Sequence, residues 1–371
     1  MPSPNSSEGS RCGLVLMGGG ARAAYQVGVL KGIAEQLPRG ARSPFAVVTG
    51  TSAGAVSAVA LAADAMNFRR AVRSIEGVWR DFHVDQVFRA DSASMLRSGL
   101  HWLAALVTGG TVVQAPHALF DNKPLWELLR RHLDFRRIRR SLKQGGLHAV
   151  GISATGYANA ESVTYFDSFA RIEPWRRAYR RGVRAELSLE HLMASLALPF
   201  IFQPVRLADG YYGDGAMRQT SPLGPAFHLG AQRILVIGVG GAGRPLTALP
   251  PALREPSYGQ MFGFLLDSLF MDHVEADIER IALYNENLDR SHIDTLIFNP
   301  SADLTEIARR HSAELPRTLR ILMRIIGAKG DAGTQLLSYL MFERGFTREL
   351  IALGVRDVRA RAAELRAFVV R

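Results

Sequence analysis

The stretch Phe45-Ala46-Val47-Val48-Thr49-Gly50-Thr51-Ser52-Ala53-Gly54 decides the fold. Its first half is apolar and β-branched, which predicts a short buried strand, and the alanine-rich residues up to Met66 predict a helix. The pattern Gly-x-Ser-x-Gly therefore stands between a strand and a helix, which is the context that indicates a nucleophile elbow. In such a turn the backbone of Ser52 is strained and its hydroxyl is exposed at the end of the strand. The alternative is a glycine-rich turn without a catalytic role.

A second glycine-rich turn precedes this stretch. Cys12–Met17 has the pattern of a buried strand, Gly18-Gly19-Gly20-Ala21-Arg22 follows, and Ala24–Gln36 is predicted as a helix. The free N–H groups of such a turn favour negative charge, either a dinucleotide phosphate or the oxyanion of a reaction at Ser52. Ala23 replaces the last glycine of a dinucleotide fingerprint, and no acidic residue ends the next strand. We therefore favour the oxyanion hole.

Two Asp-Gly pairs further along the chain offer a base for the serine. Asp214-Gly215-Ala216 ends a glycine- and tyrosine-rich stretch that is predicted as a loop, and Asp209 precedes Gly210-Tyr211. A carboxylate becomes a better base when burial disfavours its charge. We favour Asp214 because a small residue follows its glycine, and we interpret Asp209 as a turn residue. A Ser–Asp–His arrangement that uses His228 or His273 is the alternative.

Composition and charge limit the class of protein. The chain has 371 residues, of which 47% are hydrophobic and 21% are charged, so we expect a sizeable core. The formal net charge of +11 favours anionic partners. Arginines cluster at 130–143 and at 176–184, where we expect a solvated face or a contact with anionic lipid headgroups. No nucleic-acid module accompanies them, so no nucleic-acid partner is expected.

The sequence predicts neither a membrane span nor a bound cofactor. No apolar run reaches the roughly 18 residues that a spanning helix needs, and residues 1–11 lack a secretory signal. We expect a cytoplasmic protein with peripheral membrane contact. Cys12 is the sole cysteine and the histidines lack ligand spacing, so no disulfide and no metal site is predicted. The apolar segment Leu100–Val107 is predicted as a core helix, with a lid as the alternative.

Three motifs in chain order resemble those of the patatin-like phospholipase family. They are Gly18-Gly19-Gly20-Ala21-Arg22, Gly50-Thr51-Ser52-Ala53-Gly54 and Asp214-Gly215-Ala216, and the resemblance covers roughly Gly13 to Phe298. It implies an α/β fold with a parallel-rich central sheet sandwiched by helices, related to the catalytic domain of cytosolic phospholipase A2. Beyond it, the pattern predicts a mainly helical C-terminal extension. The expected units are a flexible N-terminus (1–11), an acyl hydrolase domain (12–300) with its motifs in 13–240, and the extension (301–371). A proline-rich connector is expected at 245–258.

The resemblance also implies the chemistry. Ser52 would be the nucleophile and Asp214 the proton acceptor of a dyad. The backbone of Gly18, Gly19 and Gly20 would form the oxyanion hole together with Ala53. Arg22 would buttress this loop or contact an anionic headgroup. The implied activity is hydrolysis of a lipid or small ester without a cofactor. The alternatives are a catalytically silent lipid-binding regulator on the same fold and a nucleotide-binding oxidoreductase.

Overall fold

The computed structural model describes residues 10–89, 118–240, 255–287, 293–328 and 333–370. Within these residues the centre of the fold is a ten-stranded mixed sheet. Its strands are β1 (Cys12–Leu16), β2 (Val47–Thr51), β3 (Ala149–Gly156), β4 (Glu161–Ser168), β5 (Trp175–Arg177), β6 (Arg180–Arg184), β7 (Val205–Leu207), β8 (Gly210–Asp214), β9 (Arg233–Ile237) and β10 (Asp294–Phe298).

Five neighbouring strands form the parallel part of the sheet, in the order β10-β9-β1-β2-β3. The sheet continues from β3 through β4, β6 and β5, with β4 antiparallel to β3. β8 also pairs with the end of β3, in antiparallel orientation, and β7 pairs with β8. Strands β1, β2, β3 and β9 are buried along their whole length, which is typical of parallel strands covered on both faces. Because β1 and β2 are neighbouring parallel strands, the loops that follow them leave the sheet side by side at the same edge.

Helices cover both faces of the sheet. They are α1 (Ala24–Gln36), α2 (Ala53–Ala63), α3 (Phe68–Arg80), α4 (Lys123–His132), α5 (Arg136–Lys143), α6 (Leu189–Leu196), α7 (Gly224–His228), α8 (Tyr258–Phe270), α9 (Asp272–Asn287), α10 (Leu304–His311), α11 (Arg317–Ile325), α12 (Thr334–Leu340), α13 (Arg344–Ala360) and α14 (Ala362–Val370). Leu14 and Leu16 face the core under α1, α2 and α13, while Val15 faces the core under α7 and α9. None of these described helices is long and apolar enough to cross a bilayer. The predicted α/β sandwich and its helical C-terminal region are confirmed.

Most predicted elements are present, with one correction in the second half of the sheet. The loop predicted around Asp214 is instead the strand β8, because pairing with β3 satisfies its backbone. The arginine cluster at 176–184 lies on β5 and β6, where Trp175 stacks on Phe166 of β4. The segment Leu100–Val107, most of the predicted connector and residues 1–9 lie outside the described residues.

Arg22 fastens the C-terminal helices to the loop after β1. Its guanidinium is buried and donates hydrogen bonds to Ser338 Oγ (2.7 Å) and Asp267 Oδ1 (3.1 Å). It also stacks on the ring of Tyr339, 3.9 Å from the ring centroid. These contacts favour the buttressing role for Arg22 over a contact with a lipid headgroup, because no side of the guanidinium is open to a membrane.

We expect Arg22→Met to lower the free energy of unfolding by about 2–4 kcal/mol, because it leaves the partly buried Asp267 carboxylate without its cation. The control is Arg140→Met on α5, an exposed position, where a change within about 0.5 kcal/mol is expected. Urea unfolding of the three proteins measures both values. Equal stability of the two variants would contradict the buttressing role.

Candidate active site

Ser52 occupies the sharp turn between β2 and α2. Its backbone has φ 52° and ψ −130°, which is uncommon for a residue with a side chain. Gly54 packs so closely on β1 that a Cβ there would lie 2.3 Å from the carbonyl oxygen of Leu16. Only glycine allows this approach, and α2 therefore begins directly behind the strand. The turn has the geometry expected of a nucleophile elbow.

Two serines from other elements hold this turn in place. The N–H of Ser52 donates to Ser195 Oγ (2.9 Å) on α6, and Ser195 Oγ donates to the carbonyl of Ser153 (2.6 Å) on β3. Next to them Thr51 Oγ1 donates to Gln219 Oε1 (2.6 Å). The sequence predicts a helix over Leu189–Leu198, but nothing in its spacing marks Ser195 as a partner of the elbow.

Asp214 reaches the serine through strand pairing. It stands at the end of β8, opposite Ala154 of β3, and β3 in turn lies beside β2. Ser52 Oγ donates a hydrogen bond of 2.5 Å to Asp214 Oδ2. The other carboxylate oxygen accepts the N–H of Ala216 at 2.9 Å, which fixes the carboxylate plane. Gly215 follows in a single helical turn packed against Ser153.

Burial controls the protonation of this carboxylate. Asp214 is only 1% exposed, and burial raises its pKa to about 7, against the opposing effect of the hydrogen bonds from Ser52 and Ala216. An ordinary aspartate has a pKa of about 3.9. At neutral pH this group therefore holds a proton far more readily than an aspartate in water.

The glycine loop after β1 lies against the serine. A Cβ on Gly18 would be 3.0 Å from the Cβ of Ser52, so the backbone passes directly beside Ser52. Gly20 has φ +53° and lies against the carbonyl of Tyr339. Gln26, which is buried on α1, donates from Nε2 to the carbonyl of Met17 (2.7 Å) and so orients the first peptide of the loop.

An apolar cavity of about 70 Å³ opens onto the serine and the aspartate, larger than the roughly 10–15 Å³ that one water needs. Its polar side chains are Ser52, Asp214 and Tyr339. The apolar wall comes from helices α2, α3, α4, α6, α8 and α12 and from the segments after α3, α6 and α12. Its residues are Val56, Val78, Trp79, Phe82, Val87, Leu125, Leu129, Leu196, Leu198, Ile201, Phe202, Phe262, Leu266, Phe270, Leu340 and Phe342. The contribution of the C-terminal helices was not predicted from the sequence.

The competing candidates lie elsewhere. Asp209 is in the turn between β7 and β8, where it accepts hydrogen bonds from Arg181 and Tyr212, as a turn residue would. His228 stacks on Trp175. Within the described ranges no histidine is hydrogen-bonded to Ser52 or Asp214, and no cluster of three metal-ligating side chains is present.

Comparison with known proteins places the chain in a family. Its sequence matches the family described as patatin-like phospholipase over residues 14–227, which is more than half of the chain. No curated protein matches it. Among solved structures it aligns with the crystal structure of VipD from Legionella pneumophila, with 13% identity, a TM-score of 0.34, and coverage of 87% of this chain and 68% of that one. On the family match, the chain belongs to the patatin-like phospholipases, whose general activity is the hydrolysis of lipid acyl esters.

Proposed function

We propose that this chain cleaves lipid carboxylic esters through an acyl-enzyme on Ser52, with Asp214 as the proton acceptor. The observation that carries the proposal is the 2.5 Å hydrogen bond from Ser52 Oγ to Asp214 Oδ2 at the end of an apolar cavity. A serine hydroxyl is a weak nucleophile unless an adjacent base accepts its proton. Here the Asp214 carboxylate already accepts a hydrogen bond from the Ser52 hydroxyl.

In the first half-reaction, Ser52 Oγ attacks the ester carbonyl carbon while its proton passes to Asp214. The C–O bond to the leaving alcohol then breaks, and the proton on Asp214 passes to the departing oxygen. The raised pKa of Asp214 favours both steps. A carboxylate whose pKa is about 7 is a stronger base than an ordinary aspartate, and its protonated form can still give the proton to the leaving alcohol. In the second half-reaction, Asp214 accepts a proton from water while the water oxygen attacks the acyl carbon. The bond between that carbon and Ser52 Oγ then breaks, Asp214 returns the proton to Oγ, and the carboxylic acid product leaves.

The glycine loop supports the proposal by supplying donors for the tetrahedral oxyanion. Within the described residues no hydrogen bond involves the N–H groups of Gly18 and Gly19. The N–H of Ala53 is at the first position of α2, where no helical acceptor exists for it. We assign these groups, with the N–H of Gly20, to the oxyanion hole.

The cavity favours an acyl chain as its occupant. Its wall is almost entirely aliphatic and aromatic, so an alkyl chain would gain free energy by leaving water. An ester is favoured over an amide, because an amine leaving group needs stronger acid assistance than a single carboxylic acid gives. We propose lipid esters as the substrate class and peripheral contact with anionic membranes as the setting.

We also propose that residues 12–300 form the acyl hydrolase domain and that the extension 301–371 completes its cavity. Tyr339, Leu340 and Phe342 of the extension line the cavity, and α13 packs on α1 with Gly28 against the backbone of Ile351.

Ser52→Ala is expected to lower kcat for a short-chain chromogenic ester by at least about 10³-fold, because the nucleophile is lost. Asp214→Asn should lower it by about 10³–10⁴-fold, because an amide cannot accept the proton. Asp209→Asn is the matched control and should keep near wild-type activity, since Asp209 does not contact the site. Steady-state kinetics on folded variants measures all three. Full activity of Asp214→Asn, or loss of activity in His228→Ala, would contradict the dyad.

The pH profile of hydrolysis provides a second test. Asp214 must be ionised to accept a proton, and its pKa is about 7. We therefore expect kcat/KM to be constant well above pH 7 and to fall about tenfold for each pH unit below it. A base with the pKa of an ordinary aspartate would keep the rate constant down to about pH 4. A flat profile between pH 5 and 8 would argue against Asp214 as the base.

A further inference from the structure

Helix α8 carries apolar side chains on two opposite faces. Its inner face, with Phe262, Leu266 and Phe270, lines the cavity that contains Ser52. Its outer face carries four large apolar side chains that are exposed, namely Tyr258, Met261, Phe264 and Leu265. Large apolar side chains that are exposed together on one helix face are unusual for a surface without a partner, and among the described residues nothing covers these four.

Helix α11 exposes apolar and cationic side chains on one face. Arg317, Arg320, Ile321, Arg324 and Ile325 are exposed and recur at the spacing of a single helix face, while its buried side chains lie opposite. Within the described residues no acidic side chain is paired with Arg317, Arg320 or Arg324. The face therefore presents three arginines, which form no ion pair with any described residue, beside two isoleucines.

The end of α11 lies against the start of α8. The N–H of Gly259 donates to the carbonyl of Ile326 (2.8 Å), and Ser257 Oγ donates to the carbonyl of Gly327 (2.9 Å). These bonds place Tyr258, which is 78% exposed, near Ile325, which is 75% exposed. Six of the twelve large apolar side chains exposed in the described residues are on these two helices. We call this combined area the α8–α11 face.

The chemistry of the α8–α11 face matches a bilayer of anionic phospholipid. Apolar side chains can enter the acyl region while arginines on the same face meet the phosphates, as in helices that lie in a membrane interface. The arginine clusters singled out from the sequence fit this role less well. Arg137 and Arg139 are paired with Asp64 and Glu186, and Arg181 is paired with Asp209.

We propose that the α8–α11 face is the surface with which this protein docks on anionic membranes, and that α8 separates the bilayer from the acyl cavity. The proposal deepens the proposed function, on which its biological meaning rests. Docking would place the lipid substrate directly against the helix whose inner face lines the cavity containing Ser52. This arrangement limits the distance that an acyl chain travels through water.

The test is flotation with vesicles of phosphatidylcholine alone or phosphatidylcholine with phosphatidylglycerol, in a Ser52→Ala background so that the lipid is not consumed. The double variants Phe264→Ser/Ile325→Ser and Arg320→Gln/Arg324→Gln remove the apolar and charged parts separately. We expect each to weaken binding to the anionic vesicles about tenfold or more, because one removes side chains that enter the acyl region and the other removes charges that meet the phosphates. Binding by the parent should weaken with salt and be weaker on phosphatidylcholine alone.

Matched controls separate this surface from general charge and exposure. Phe169→Ser removes an apolar side chain that is 70% exposed, against 69% for Phe264, and Arg136→Gln/Arg140→Gln removes two exposed charges on α5. Both controls should bind like the parent. The proposal is overturned if the α8–α11 variants bind normally, if Arg136→Gln/Arg140→Gln abolishes binding, or if the parent does not float with anionic vesicles. It is also overturned if Phe264→Ser/Ile325→Ser converts a dimer to a monomer, because a second copy would then cover the face.

Hydrolysis of a soluble short-chain ester, measured with Ser52 intact, keeps the two proposals distinguishable. All four variants should retain this activity, because none of the changed side chains lines the cavity. Ester hydrolysis without vesicle binding would refute the docking surface and leave the proposed chemistry intact. Vesicle binding that maps to the α8–α11 face without any ester hydrolysis would support the surface and refute the chemistry.

Discussion

The site depends on one hydrogen bond, from Ser52 Oγ to a carboxylate that is almost completely removed from water. A buried carboxylate needs partners, and Asp214 has two, the serine hydroxyl and the N–H of Ala216. The cost of ionising it in this environment is what raises its pKa to about 7. The same burial that penalises the charge of Asp214 makes its carboxylate a stronger base than that of an ordinary aspartate.

The rest of the fold holds the two partners of this bond at a fixed distance. The strained backbone of Ser52 is supported by Ser195, and Asp214 is positioned by the pairing of β8 with β3. Arg22 ties the glycine loop to α8 and α12, which supply one wall of the cavity. We therefore regard the C-terminal helices as part of the site. Under the docking proposal, α8 would contact the membrane with its exposed face and the acyl chain with the face that lines the cavity.

The sequence was sufficient for the features that depend on local order along the chain. The strand–turn–helix pattern around Ser52 and the glycine loop before it are encoded in consecutive residues, and the structure has them at neighbouring strand ends. Features that depend on contacts between residues far apart in the chain could not be predicted from the sequence. Ser195 is 143 residues from Ser52 in sequence, and nothing in its own helix marks it. Likewise, the strand that carries Asp214 is stabilised by pairing with β3, so its glycines suggested a loop.

The central claim is that Ser52 is the nucleophile and that Asp214 activates it. The most direct measurement is covalent trapping with an activated alkyl phosphonate ester, followed by intact mass measurement and peptide mapping. We predict one adduct on the peptide that contains Ser52, absent from Ser52→Ala and formed much more slowly by Asp214→Asn. An adduct on another residue, or unchanged labelling of Asp214→Asn, would contradict the account.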